Sequence, residues 1–217
     1  MQRGKQVKLV ALLAMTIALS LCMACQPKSP KAGPKAGPQL IPRKVLFGNP
    51  ERAAARISPD GKYLSYLAPV NGVLNVWVAP FDAPEKAAPV TDDQKRGIRI
   101  YFWSYSPGLL IYLQDKKGDE NWHIYVVDVN SKLVRNMTPF KGVRAGIQAV
   151  SHKHPDTILV RLNKRNPALH DIFKLELKSG KLTQVLENPG FLGFVVDDDY
   201  NIRFGRRTTR EGGSRLM

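Results

Sequence analysis

The sequence predicts an all-β chain: a partial β-propeller of about three and a half four-stranded blades, following a signal peptide and a Pro-rich linker. Three observations lead there. Ile57–Asp82 reads ISPDGKYLSYLAPVNGVLNVWVAPFD, in which two alternating apolar runs, Tyr63–Leu67 and Val73–Val78, meet at Asn71-Gly72. Period-two alternation bounded by turns is the pattern of short half-buried strands. Asn-Gly readily takes the two positive φ values that a type I′ hairpin requires. The pattern then returns, as WSYSPGLLIYLQDKKGDENWHIYVVD over Trp103–Asp128 and VSHKHPDTILVRLNKRNPALHDIFKLE over Val150–Glu176. The turn prolines Pro59, Pro107 and Pro155 stand 48 residues apart, as do the third-strand aromatics Trp77, Tyr125 and Phe173. A fixed period of this length is the mark of stacked supersecondary units.

Each unit contains a strand before the turn, a second after it, a third carrying the aromatic, and a short fourth: Ala87–Thr91, Leu133–Thr138 and Leu182–Leu186. The body spans residues 40–217, with blades predicted over 50–92, 98–139 and 147–187 and a partial one over 191–217. In that last unit the strands are Phe191–Val196 and Ile202–Phe204, a turn falls at Glu211-Gly212-Gly213, and a third strand begins at Ser214. Closed propellers use roughly four to eight complete blades, so the chain reads as the front part of something longer. An open arc leaves a sheet face and a strand edge uncovered, and self-association is expected. The alternative is an antiparallel sandwich, which has no reason to keep a fixed repeat.

The amino terminus has a different character. Arg3, Lys5 and Lys8 precede the apolar run Leu9–Ala24, which is short for a membrane span of roughly 20 residues but suits the core of a signal peptide. Ala24 puts a small residue before Cys25, and this end resembles the lipobox of bacterial lipoproteins, with Cys22 standing where that family usually has Leu. The resemblance implies cleavage before Cys25, lipid attachment at Cys25, and, with Gln26 rather than Asp next, transfer to an outer membrane facing the periplasm. Cys22 and Cys25 are the two cysteines of the chain. Lying in and beside the apolar run, they are not read as a redox or metal pair. Residues 26–39 repeat Lys-Ala-Gly-Pro and carry no large apolar side chain to bury. Proline extends such a tether to about 3 Å per residue, or on the order of 40 Å in all.

Net charge is +15. The basic residues are dispersed over the signal, the linker, strand faces and the segment Arg203–Arg215, rather than gathered into one stripe, and no nucleic-acid partner is predicted. No His-Glu-x-x-His occurs among His123, His152, His154 and His170, so no metal site is assigned. Asp197-Asp198-Asp199 lacks the alternating ligands of a calcium loop and reads as a polar hairpin turn. Asp119-Glu120-Asn121-Trp122 is read as a polar loop leading into a third strand, and no substrate role is assigned to Glu120. No cofactor site is predicted.

Four stretches carry a resemblance to a known family: GDENWHIYVVD (Gly118–Asp128), LVRLNKRNPALHDIF (Leu159–Phe173), LTQVLENPG (Leu182–Gly190) and IRFGRRTTREGG (Ile202–Gly213). They look like the amino-terminal propeller of prolyl-oligopeptidase-type serine peptidases, in the dipeptidyl-aminopeptidase and acylaminoacyl-peptidase branch. The resemblance implies a propeller that admits short peptides to a cavity shared with an α/β-hydrolase domain. That domain supplies Ser, Asp and His, the serine in a Gly-x-Ser-x-Gly elbow. No serine of this chain lies in such an elbow; Gly213-Ser214 is followed by Leu216 where the second glycine would stand. No catalytic residue is assigned, and peptide hydrolysis by these residues alone is not expected. The reading is therefore a propeller fragment of a secreted, lipid-anchored peptidase in the cell envelope. The alternative is a non-catalytic propeller lipoprotein that binds a protein or peptide there.

Overall fold

Alternation of apolar and polar residues draws most of the described chain into antiparallel strands. The computed structural model describes residues 40–217. The predicted signal peptide (1–25), the predicted lipid-attachment residue Cys25 and the predicted linker (26–39) lie outside the described residues. The chain divides into two units, residues 1–46 and 47–217. A five-residue helix, α1 (Arg43–Phe47), buries none of its residues.

Four sheets follow one another along the chain, each meandering in sequence order. The first is β1 (Ala53–Ile57), β2 (Tyr63–Val70), β3 (Val73–Pro80) and β4 (Ala88–Pro89). The second is β5 (Ile100–Trp103), β6 (Leu109–Gln114), β7 (His123–Asp128) and β8 (Val134–Asn136). The third is β9 (Ala145–Val150), β10 (Thr157–Asn166), β11 (Leu169–Glu176) and β12 (Leu182–Leu186). The fourth has three strands, β13 (Gly193–Val196), β14 (Ile202–Thr208) and β15 (Ser214–Leu216). This is the all-β arc of meandering sheets expected from the repeat.

Local chemistry explains the boundaries. Asn71 and Gly72 hold φ of 50° and 82°, so β2 and β3 pair without interruption from Val70↔Val73 to Tyr63↔Pro80, two or more residues beyond the predicted runs. The fourth strand of the third blade, Leu182–Leu186, has its expected bounds, but those of the first two are shorter than the apolar pattern suggests because a threonine replaces the ladder. Thr91 Oγ1 accepts from the backbone N–H of Val76 at 2.9 Å, and Thr138 Oγ1 accepts from Ile124 at the same distance. A side chain thereby takes over the work of the next strand residue. The first turn of each blade is pinned by a buried serine: Ser58, Ser104 or Ser151. These follow Ile57, Trp103 and Val150, which pair with Leu64, Leu110 and Ile158. The prolines of constant spacing therefore occupy different places in their turns, whereas the serines occupy the same one.

The third-strand aromatics are structurally equivalent. Trp77 faces Tyr66 across the first sheet, Tyr125 faces Tyr112 across the second, and Phe173 faces Val160 across the third. Tyr125 packs into the core between the first two sheets and Phe173 into the core between the second and third. The opposite, aliphatic face of each blade meets its successor: Val76 and Val78 in the first core, Ile124 and Val126 in the second, Ile172 in the third. In the first two cores, then, the aliphatic face of one blade packs against the face that carries the next blade's third-strand aromatic. Fully buried residues such as Ile124, Ile158 and Leu175 each contribute on the order of 2 kcal/mol by leaving water.

Candidate functional site

The hairpins β2–β3, β6–β7 and β10–β11 and the crossings from one sheet to the next all emerge at the same end of the arc, because every meander begins and turns there. Polar side chains collect at this end. The 48-residue equivalents Asn75, His123 and Asp171 lie within the first three residues of the third strands, and each bonds to its blade's fourth strand or to the segment after it. Asn75 Oδ1 accepts from Asp93 N at 2.7 Å while its Nδ2 donates to Asp93 O at 2.9 Å. The His123 ring nitrogen Nδ1 meets Asn136 Nδ2 at 2.8 Å. Asp171 Oδ1 accepts from Asn188 N at 2.8 Å, and Arg165 donates to both of its carboxylate oxygens.

A recess of about 530 Å³ opens between the second sheet and the crossing that leads to it from the first, lined by Asp93, Arg96, Gln114 and Asp115 together with Tyr112 and Tyr125. The two phenol rings stack at 4.9 Å with 9° between planes. Burial pushes the Tyr112 hydroxyl well above its ordinary range, with Tyr125 and Asp93 adding to the shift, so it stays protonated and available as a donor. The Asp115 side chain is 1% exposed and is met by Arg96 Nε at 3.3 Å, while its other oxygen accepts from Glu120 N at 3.3 Å. A buried carboxylate persists only when paired in this way. Gln114 Nε2 donates to Asp93 Oδ2, linking the second sheet to the crossing from the first. Lys117 and Glu120 stand at φ of 61° and 57°, left-handed conformations rarely adopted by such residues, which turn the β6–β7 loop sharply over the recess. In this arrangement Asp119 caps the loop, accepting from Asn121 N at 3.1 Å, and Glu120 is exposed beside it. The recess brings a phenol donor and the side chains of Lys95, Lys116 and Lys117 beside carboxylates already held by Arg96 and Gln114, chemistry suited to the polar backbone of a peptide.

The other residues weighed in the sequence are dispersed. His152 packs edge-on to Tyr105 and His154 stacks on Tyr200 at 4.8 Å, both at the opposite end. Asp197 closes the β13–β14 turn, accepting from Asp199 N and Asn201 N and pairing with Arg203. Partial burial works to raise its pKa, but the bonds from Asn201 and Arg203 outweigh it and bring the carboxyl down to about 2. Ser58 donates to Asp60 and Ser104 to Ser106 O within their own turns, whereas Ser106 donates to Asp156 and Ser151 to Asp198 O in the turn of the next blade. Among the described residues no three His, Cys, Asp or Glu side chains gather as metal ligands, and no helix is long and apolar enough to cross a membrane. Asp93, Arg96 and Asp115 were not singled out in the sequence, since their partners lie across two blades.

No family model matches the chain. It is 47% identical over 210 residues to dipeptidyl aminopeptidase BIII of Pseudoxanthomonas mexicana, an alignment covering 96% of this chain and 30% of that protein. The chain is an amino-terminal propeller of the prolyl-oligopeptidase family. It is also 31% identical over 180 residues to dipeptidyl peptidase family member 6 of Caenorhabditis elegans, covering 80% of this chain and 24% of the relative. The β-propeller domain of the trilobed protease from Pyrococcus furiosus superposes with a TM-score of 0.54 at 20% identity, over 76% of this chain and 53% of that one. The propeller fold is common to both. The chain spans less than a third of the length of the two curated relatives.

Proposed function

We propose that this propeller is the entry gate of a secreted serine peptidase, admitting short peptides to a chamber where a Ser-Asp-His hydrolase domain cleaves them through an acyl-enzyme. The observation that carries the reading is the 47% identity with a dipeptidyl aminopeptidase over 96% of the chain. The geometry supports it. Hairpin loops, tyrosines and paired carboxylates crowd one end of the arc, where a peptide passing the gate would meet them. The propeller's own residues filter and hold; acyl transfer belongs to the hydrolase. We propose further that the chain is exported and attached to the outer membrane through Cys25, with residues 26–39 as the tether.

The test is a chimera in which residues 40–217 replace the aligned region of dipeptidyl aminopeptidase BIII. Release of dipeptides from tetrapeptides, with a folded 50-residue substrate refused, is the expected result. A folded, active chimera that degrades both equally would overturn the gate. The propeller chain alone is expected to stay unlabelled by a serine-reactive fluorophosphonate, and labelling would overturn the division of roles.

A further inference from the structure

Between the third and fourth sheets the hairpin end carries a second recess, of about 210 Å³, and none of the residues lining it is acidic. Arg144 enters it from the crossing before β9, Arg161 from β10 and His170 from β11. Arg161 stands directly across from Gly146 of β9. A Cβ at position 146 would fall 2.7 Å from Arg161 Nε, so the guanidinium stem lies across β9 at a place where there is no side chain to obstruct it. The absence of that one methyl group fixes the course of Arg161 into the recess.

Two guanidiniums line the recess, and Arg165, beyond its lining, is the one that is neutralised. Arg165 is held by Asp171 at 2.9 Å and Glu187 at 3.6 Å. No ion pair among the described residues includes Arg144 or Arg161. The neighbouring amides are already committed. Gln148 Nε2 donates to Phe194 O at 2.9 Å, and Asn188 Nδ2 to His170 O and Phe191 O. His170 is half-buried, and burial, reinforced by Arg161 and Arg144, holds its imidazole below the ordinary histidine range, leaving a neutral ring able to donate one hydrogen bond. Two unpaired guanidiniums beside a neutral donor form a site complementary to an anion, and the planar guanidinium fork matches a carboxylate. The volume is below the roughly 300–1,000 Å³ of sites that swallow a whole ligand, and suits a terminal group.

We propose that Arg144, Arg161 and His170 bind the free carboxyl end of a short peptide. That the carboxylate belongs to a peptide rests on the gate reading above; the anion site itself does not.

The experiment titrates the full chain with tri-alanine, tri-alanine amide, acetate and inorganic phosphate, following heat and the His170 ring resonances. Tri-alanine is expected to bind and move those resonances, with the amide weaker by about tenfold or more. Arg161→Gln and Arg144→Gln should each remove most of that preference, Arg161→Lys should retain part of it, and Lys153→Gln at the opposite end should change nothing. Equal binding of acid and amide, or an unchanged preference in both glutamine variants, overturns the site. Phosphate binding more tightly than tri-alanine overturns the carboxylate assignment. If the chimera fails to discriminate peptide length while tri-alanine still binds through Arg161, the gate falls and the anion site stands.

Discussion

Asp171 is 1% exposed, and its carboxylate is the acceptor on which the third blade's exit depends. Bonds from Arg165 hold its pKa below the usual carboxylate range; burial opposes the shift, and the Asn188 N–H reinforces it. A carboxyl depressed in the folded state adds stability above its unfolded value of about 3.9, and that stability drains away as pH falls toward the folded value. Asp171→Ala leaves the buried Asn188 N–H and one face of the Arg165 guanidinium without an acceptor, a loss of about 2 kcal/mol. Urea denaturation at pH 7 should show that loss, and the difference from the unmodified chain should shrink on titration toward pH 3. An equal difference at both pH values would contradict the assignment. Position 171 also shows what sequence could and could not reveal. Its place in a 48-residue series with Asn75 and His123 is readable in the chain. Its shared role in anchoring the blade exit is not, because the partners Asp93, Asn136 and Asn188 lie in segments without a common motif.

At the scale of the element, the fourth sheet differs from the first three in what covers it. Phe194, Val196 and Ile202 pack toward the third sheet around Tyr200 and Leu159. On the other face Val195 lies across from Phe204, and Leu216 lies across from Arg206, two residues along the same side. Val195, Phe204 and Leu216 are 47%, 50% and 59% exposed. A contiguous apolar strip on a sheet beside a strand edge promotes association between copies. The polypeptide from Gln26 onward is therefore expected to sediment with a concentration-dependent mass, and Phe204→Lys should shift it toward monomer. A single monomeric species at all concentrations would refute this. Alternation along β13 and β14 already separated the two faces in sequence; which face met a neighbouring blade required the packing.

The whole molecule, as proposed, is an arc of four sheets carried on a membrane tether. A tether of about 40 Å would let the propeller work clear of a lipid surface while remaining concentrated beside it. Cys25→Ser is expected to abolish incorporation of radiolabelled palmitate in a bacterial host and to move the chain from the membrane fraction to the soluble periplasm. Persistent labelling would place the lipid elsewhere.

Strand order, blade length and the third-strand aromatics were legible in the chain because they rest on local rules: period-two alternation, Asn-Gly turn geometry and a repeat of constant length. The family resemblance rested separately on the residues of four short stretches, Gly118–Asp128, Leu159–Phe173, Leu182–Gly190 and Ile202–Gly213. The recesses at the hairpin end belong to the tertiary structure. Asp115 meets Arg96 across a blade boundary, and Arg161 reaches its recess only because Gly146 lies opposite it on the neighbouring strand. Those contacts join residues 15 and 19 positions apart whose identities follow no repeat: antiparallel pairing of β9 with β10 sets Gly146 beside Arg161, and the crossing into the second sheet carries Arg96 to Asp115.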